Sequence, residues 1–144
     1  DLSTLKTNQI KTLLIDIDNT IVEKGKTQVS DEINEWLKKM SSEFECILIS
    51  NNPSISAKHI AHQLNIEVLH FAFKPFKSRY LVWSRHKVIK SKVMMIGDQI
   101  FTDVLFAKNI GAMSCLVNPI SKNDHLSTRF LRKIENIILN EFTR

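Results

Sequence analysis

The chain contains few glycines, prolines and cysteines, and these shortages exclude several classes of protein. Its 144 residues include three glycines, three prolines and two cysteines. The glycines are isolated from one another, which excludes a Gly-rich phosphate loop and a dinucleotide-binding fingerprint. Two cysteines are too few for a disulfide framework or a zinc site. Because Cys46 and Cys115 both fall in apolar runs, we expect them to be buried free thiols in a reducing cytosol.

The chain also lacks any long apolar run. The longest apolar runs are no longer than a short segment such as residues 46–49, so no segment approaches the length that a bilayer requires. No secretory signal pattern opens the chain, which begins at Asp1 rather than at a methionine. We therefore expect a cytoplasmic protein, at most peripheral to a membrane, whose N-terminus has been trimmed. With 43% apolar and 24% charged residues, residues 1–144 are predicted to form one globular domain.

Positive charge exceeds negative charge without being concentrated in one segment. Lysine and arginine total 20 against 15 acidic residues, which gives a net charge of +5. This balance favours anionic or phosphorylated partners, although a mildly basic solvated surface accounts for it equally well. No block of five or six basic residues occurs, so nucleic acid is not an expected partner.

Five short apolar runs, many of them β-branched, alternate with segments of helical periodicity. The runs begin at Thr12, Cys46, Val68, Val93 and Met113. Each run is continuous rather than alternating, which is typical of strands buried on both faces of a parallel sheet. The sequence therefore predicts a doubly wound, Rossmann-like α/β fold with a five-stranded parallel sheet flanked by helices.

Apolar spacing predicts five helices between and after these strands. The first begins at Ser30 as its N-cap, and the fourth ends near Gly111. The third covers residues 77–86, and the last carries Phe130 and Ile134 on its apolar face.

Polar residues follow the strands at the place where ligands bind in such a sheet, beyond the carboxyl ends. They are Asp16, Asp18 and Thr20 after the first strand, Ser50 and Asn51 after the second, Lys74 after the third, and Asp98 and Asp103 after the fourth. Each of these residues alone is more often a turn or cap residue, so the prediction rests on their combination. Neighbouring carboxylates repel one another, and Lys74 together with a divalent cation would offset that repulsion. Oxygen ligands favour Mg²⁺ over zinc.

The combination resembles the motifs of the haloacid dehalogenase (HAD) superfamily. Residues 16–20, Asp-Ile-Asp-Asn-Thr, resemble its first motif, DxDx(T/V). Ser50, Lys74, and the Gly-Asp pair at 97–98 with Asp103 resemble its second, third and fourth motifs in order. Within the superfamily the chain is similar to the YqeG family of class IIIA phosphatases. It departs from that family at residues 105–110, where the family tends to have a Gly-rich Asn-Arg stretch.

The resemblance implies a division of roles between the two aspartates of the first motif. Asp16 would be the nucleophile that forms an aspartyl-phosphate, and Asp18 would be the general acid and base. Lys74 would neutralise charge on the transferring phosphoryl group. Thr20, Ser50 and Asn51 would help to bind the phosphate, with Thr20 also positioning Asp18.

The same resemblance implies a magnesium site. Asp16, Asp98 and the backbone carbonyl of Asp18 would be its protein ligands. Asp103 would orient metal-bound water or Lys74 rather than bind the metal directly.

The spacing of the motifs predicts an open site without a cap domain. Residues 21–49 and 51–73 each leave room for a helix and a strand only. An open site suits a bulky substrate, although a second subunit could close it. Eukaryotic relatives of the YqeG family are mitochondrial phosphatidylglycerophosphate phosphatases. This relation implies a lipid headgroup at a membrane surface as the phosphorylated substrate.

Two other functions use a similar set of residues. A receiver module would also accept phosphate on an aspartate beside a lysine, but it does not need Asp18 as an acid. A non-catalytic scaffold is the third possibility, although every catalytic position is filled. The lifetime of the aspartyl-phosphate separates an enzyme from a receiver.

Overall fold

Strands and helices alternate along the chain in the computed structural model, which describes residues 2–52, 55–77, 80 and 92–121. The elements are α1 (Leu2–Thr7), β1 (Thr12–Asp16), α2 (Asp31–Ser41), β2 (Glu45–Ile49), α3 (Ile55–Leu64), β3 (Glu67–Leu69), β4 (Val93–Gly97), a π-helical turn (Ile100–Val104), α4 (Leu105–Ile110) and β5 (Met113–Leu116).

The five strands form one parallel sheet in the order β3-β2-β1-β4-β5, which confirms the predicted fold class. β1 lies at the centre, with Leu14 opposite Ile47 on β2 and Met95 on β4. The chain extends from β1 to one edge and then returns to continue on the other side at β4. This reversal opens a crevice between the carboxyl ends of β1 and β4, where doubly wound folds bind ligands.

The core has two layers because side chains alternate between the faces of the sheet. Leu13 and Ile15 of β1 belong to the cluster on one face, and Leu14 belongs to the cluster on the other. Every residue of β1 and β4 is buried. The strands that end at the crevice are thus fixed by packing on both sides.

Two predicted helix boundaries are confirmed. The side chain of Ser30 caps α2 by accepting a hydrogen bond from the backbone N–H of Ile33, at 3.3 Å. Gly111 ends α4 in the left-handed conformation, with φ of 74°, where a glycine is the favoured residue. The π-helical turn before α4 was not predicted from the sequence.

Burial of the last strand and of the thiols was predicted wrongly. All residues of β5 are exposed, including Cys115, because β5 is an edge strand with a single neighbouring strand. Cys46 is half-buried, and burial raises the pKa of its thiol. β3 also ends at Leu69, before the predicted Phe71, whose φ of 54° is incompatible with a strand.

Two other helix predictions fall outside the described part of the chain. These are most of the helix at residues 77–86, of which Lys77 and Tyr80 are described, and the helix that carries Phe130 and Ile134. Among the described residues, no helix has the length and apolar character needed to cross a bilayer. In that same part, no additional folded unit lies between β1 and β2 or between β2 and β3.

Candidate active site

Lys74 joins two carboxylates at the carboxyl edge of the sheet. Its ammonium nitrogen contacts Oδ1 of Asp16, and it lies 2.5 Å from Oδ1 of Asp103. Lys74 and Asp16 are each only 6% exposed, and Asp103 is 2% exposed. Burial strengthens this cluster electrostatically and makes it costly to remove one member.

Asp16 is oriented through both of its carboxylate oxygens. It is the last residue of β1, and its Oδ2 accepts a hydrogen bond of 3.1 Å from the hydroxyl of Thr20. The Thr20 hydroxyl therefore contacts Asp16, whereas the sequence predicted that Thr20 positions Asp18. With Lys74 on one oxygen and Thr20 on the other, Asp16 has the fixed orientation that a nucleophile needs.

The loop that carries Asp18 is held by Asn19. Asn19 is buried and has a φ of 64°, a left-handed conformation that asparagine tolerates better than most residues. Its carbonyl accepts a hydrogen bond from the N–H of Ile120 at 2.9 Å, and its side-chain oxygen accepts from the N–H of Lys24 at 3.2 Å. Asp18 is half-buried and pairs with Val22 in an isolated bridge. The anchoring role of Asn19 was not predicted, and only its place inside the first motif could have suggested it.

Asn51 and Asn109 hold the backbone around Lys74. The Asn51 amide donates to the Lys74 carbonyl at 2.9 Å, and its oxygen accepts from the Lys74 N–H at 2.6 Å. From α4, the Asn109 amide donates to the carbonyl of Pro75 at 2.9 Å. Phosphate binding by Asn51 stays a prediction, but the contacts of its side chain position Lys74. Asn109 lies in the stretch that departs from the YqeG pattern, and no role was predicted for it.

Ser50 directly follows β2, whose last residue pairs with Asp16 in the sheet register. It is 1% exposed, and its hydroxyl oxygen accepts a hydrogen bond of 3.0 Å from the N–H of Asn52. The hydroxyl hydrogen can still be donated, which is what binding a phosphoryl oxygen requires.

Asp103 packs against a glycine that leaves space for it. Its Oδ2 accepts a hydrogen bond of 3.1 Å from the N–H of Gln99, and its Oδ1 receives Lys74. A Cβ placed on Gly97 would lie 2.3 Å from Cγ of Asp103, which is far inside van der Waals contact. The close approach of the Asp103 side chain therefore requires a glycine at position 97. Of the two roles predicted for Asp103, the contact with Lys74 is present.

Replacing Gly97 by alanine is expected to disrupt the site as well as the fold. The new methyl group overlaps the Asp103 side chain, so Asp103 must shift and its contact with Lys74 must break. We expect phosphatase turnover to fall at least about tenfold and stability to fall by about 1–3 kcal/mol. Activity assays and urea unfolding measure the two effects.

Gly111→Ala is the matched control. A Cβ on Gly111 meets nothing within 4 Å, but its φ of 74° strains an alanine. This variant is expected to lose about 1 kcal/mol of stability and to keep its turnover. Equal loss of turnover in the two variants would contradict the close-approach explanation.

The carboxylates fit a divalent cation. Oxygen atoms of Asp16, Asp98 and Asp103 all lie within 4.8 Å of one another, and all three residues are buried. Oxygen donors of this kind suit Mg²⁺. Asp103 uses its oxygens on Lys74 and Gln99, and Asp16 uses its own on Lys74 and Thr20. That Asp16 and Asp98 hold the ion stays a prediction.

Burial and charge shift the acid–base properties of the cluster. Burial raises the pKa of Asp16 to about 8; Lys74 opposes the rise, and the negative charges of Asp103 and Asp98 add to it. Burial also lowers the pKa of Lys74, but Asp103 and Asp16 outweigh it, so the net shift is upward. Lys74 therefore stays charged, and Asp16 needs more positive charge to be fully ionised at neutral pH.

This shift predicts that Mg²⁺ binding releases a proton. Below the pKa of about 8, metal-free Asp16 carries a proton that a cation must displace, so affinity for Mg²⁺ falls as pH falls. We expect up to about tenfold weaker binding for each pH unit below that pKa. Calorimetry in two buffers of different ionisation enthalpy measures the released proton. The Asp16→Asn protein is the control and should show no release, whereas a pH-independent affinity would refute the prediction.

The fold and the site together define a class of protein, and comparisons with known proteins identify the family within that class. A parallel sheet with aspartates after β1 and β4 and a buried lysine between them is the arrangement of HAD-like phosphatases. A family model described as mitochondrial PGP phosphatase matches residues 1–120. The chain belongs to this family and is a HAD-like phosphatase of the YqeG type.

Individual relatives agree with this assignment. The chain is 31% identical over 142 residues to the probable phosphatase YqeG of Bacillus subtilis, covering 97% of this chain and 83% of the relative. It is 23% identical to phosphatidylglycerophosphate phosphatase 1, chloroplastic/mitochondrial, of Arabidopsis thaliana, of which it spans 45%. The HAD-hydrolase YfnB of B. subtilis, solved with magnesium, has the same fold, with a TM-score of 0.66 at 12% identity over 83% of this chain and 91% of that chain.

Proposed function

We propose that the protein is a Mg²⁺-dependent phosphomonoester hydrolase that works through an aspartyl-phosphate on Asp16. The observation that carries this proposal is the buried Asp16 carboxylate, held by Lys74 and Thr20 at the crevice beside Asp98. The ion pairs of Lys74 with Asp16 and Asp103 would not need a further buried carboxylate, that of Asp98, at the place where doubly wound folds bind ligands.

The chemistry assigns one step to each aspartate. A carboxylate oxygen of Asp16 attacks phosphorus, the bond to the leaving oxygen breaks, and Asp18 gives that oxygen a proton. Asp18 then takes a proton from water, which attacks the same phosphorus, releases inorganic phosphate and restores Asp16. Lys74 and the Ser50 hydroxyl stabilise charge on the phosphoryl oxygens. When bound, Mg²⁺ supplies further positive charge at the transferring group.

We propose a phosphatidylglycerophosphate-like lipid as the substrate. Two observations support this choice: the family model is named for PGP phosphatase, and the Arabidopsis relative carries the name of that activity. The net charge of +5 also suits an anionic substrate at a surface. The described connections after β1 and β2 contain no inserted unit to enclose a small metabolite.

The experiment is a panel of phosphomonoesters assayed with and without Mg²⁺. Phosphatidylglycerophosphate in vesicles, sugar phosphates, nucleotides and a phosphopeptide are compared at two salt concentrations. We expect turnover that requires Mg²⁺ and is fastest with the lipid. Selective hydrolysis of one soluble metabolite would overturn the substrate, and a stable phosphoenzyme without turnover would favour a receiver module.

A further inference from the structure

Two exposed phenylalanine rings flank the turn that carries Lys74. Phe73 is 56% exposed and Phe76 is 69% exposed. The N–H of Phe76 donates to the carbonyl of Phe73 at 2.8 Å, which closes a turn with Lys74 and Pro75 at its centre. The Lys74 side chain is buried in the active site, whereas both rings lie in solvent. The turn thus places two aromatic side chains at the rim of the catalytic crevice.

Phe73 belongs to a row of aromatic rings in a segment whose backbone conformation is unusual. The centroid of the Phe71 ring lies 5.6 Å from that of His70 and 6.3 Å from that of Phe73. Phe71 and Phe73 have φ values of 54° and 55°, in the left-handed region that bulky residues rarely adopt. Glycine or asparagine would adopt this backbone at lower cost, so the turn itself does not explain the aromatic side chains. Strain of this kind points to a function for the rings.

Positive charge accompanies the rings. Lys77 is exposed and directly follows Phe76. Helix α4 contacts the same turn through the hydrogen bond from Asn109 to Pro75, and the neighbouring residue Lys108 is exposed. Aromatic rings beside lysines suit the interface of an anionic bilayer, where rings enter the headgroup region and lysines meet phosphates.

We propose that residues 70–77, the rim turn, dock on an anionic lipid surface through Phe73, Phe76 and Lys77. The inference rests on the proposed function, because docking here presents the crevice with Lys74 to phosphorylated headgroups. Binding to the lipid surface and hydrolysis of the phosphate ester are distinct steps. Each can therefore be measured without the other.

Vesicle binding of the whole chain tests the proposal. Sedimentable vesicles of phosphatidylglycerol and phosphatidylcholine are compared with vesicles of phosphatidylcholine alone. We expect binding to the anionic vesicles only, and weaker binding at high salt.

Phe73→Asn combined with Phe76→Ser is expected to weaken binding by about tenfold or more, because the variant has lost the two apolar rings that binding would transfer out of water. Asparagine is chosen at position 73 because it accepts the left-handed backbone.

Matched substitutions separate docking from general effects. Trp36→Ser removes an aromatic side chain that is 37% exposed on α2, outside the rim turn, and should leave vesicle binding unchanged. Lys77→Glu should weaken binding, whereas Lys6→Glu on α1 should not. Phe76→Ser should keep its turnover of a soluble phosphomonoester, which shows that the crevice is intact.

Two results would overturn the proposal. One is equal vesicle binding by the wild type and the double variant, or no binding by either. The other is a dimer in sedimentation velocity that Phe76→Ser dissociates, because the rings would then be an interface between two copies. Failure of the proposed function looks different: vesicle binding would persist and depend on the rings, but no phosphomonoester would be hydrolysed.

Discussion

Replacing Asp16 by asparagine is expected to abolish turnover and to prevent any phosphoenzyme from forming. Asparagine keeps the shape of the side chain but removes the nucleophilic carboxylate, so the loss in kcat should be at least about a thousandfold. The phosphoenzyme is trapped by acid quenching after reaction with a labelled substrate. Phosphate attached covalently to the Asp16→Asn protein would refute the assignment of the nucleophile.

Asp18→Asn is expected to behave differently. A substrate with a good leaving group still phosphorylates Asp16, but the intermediate persists because no base activates water. Asp31→Asn is the matched control, since Asp31 is an exposed aspartate in the first turn of α2 and should keep normal turnover. Normal turnover and a short-lived phosphoenzyme in Asp18→Asn would refute the assignment of Asp18 as the general acid and base.

Replacing Lys74 by methionine is expected to have the largest effect on stability. It leaves Asp16 and Asp103 buried beside each other without their cation. Breaking a buried ion pair in this way costs about 3–5 kcal/mol. The loss should be smaller below about pH 8, where Asp16 takes up a proton and becomes neutral, because burial raises its pKa to about 8. Urea unfolding at several pH values in the presence of a chelator measures the change.

Two further variants test this explanation. Lys74→Met combined with Asp103→Asn should be more stable than the sum of the single losses predicts, because one buried charge has been removed with the other. Lys6→Met breaks an exposed pair with Glu43, 2.9 Å apart, and should cost at most about 1 kcal/mol. Additive losses in the double variant would show that Lys74 and Asp103 do not interact.

Local sequence patterns identified most of the buried cluster around Lys74. Asp16 is the last residue of β1, Ser50 and Asp98 come directly after β2 and β4, and apolar continuity marked where those strands end. Parallel strands present their carboxyl ends at one edge, so residues far apart in the chain could be brought together from topology alone. The contact of Lys74 with Asp103 was one of two roles predicted for Asp103.

The supporting contacts could not be predicted in the same way. The hydrogen bonds from Asn51 and Asn109 to the backbone around Lys74 connect three separate segments: the loop after β2, helix α4 and the turn that carries Lys74. No local sequence pattern marks these bonds. Gly97 belonged to a recognised motif, but the reason for a glycine appears only when the Asp103 side chain is placed against it.

By itself, the sequence determined the five strands in their order, the parallel sheet and the identity of the acids and the lysine at its edge, because strand continuity and motif order are properties of neighbouring residues. Only the tertiary structure decided which atoms meet and which side chains reach solvent. In the structure β5 and Cys115 are exposed, although their apolar composition had predicted burial. The rings of Phe73 and Phe76 are also exposed, beside a buried Lys74. Burial depends on what other parts of the chain cover, and a short window of residues carries no information about that packing.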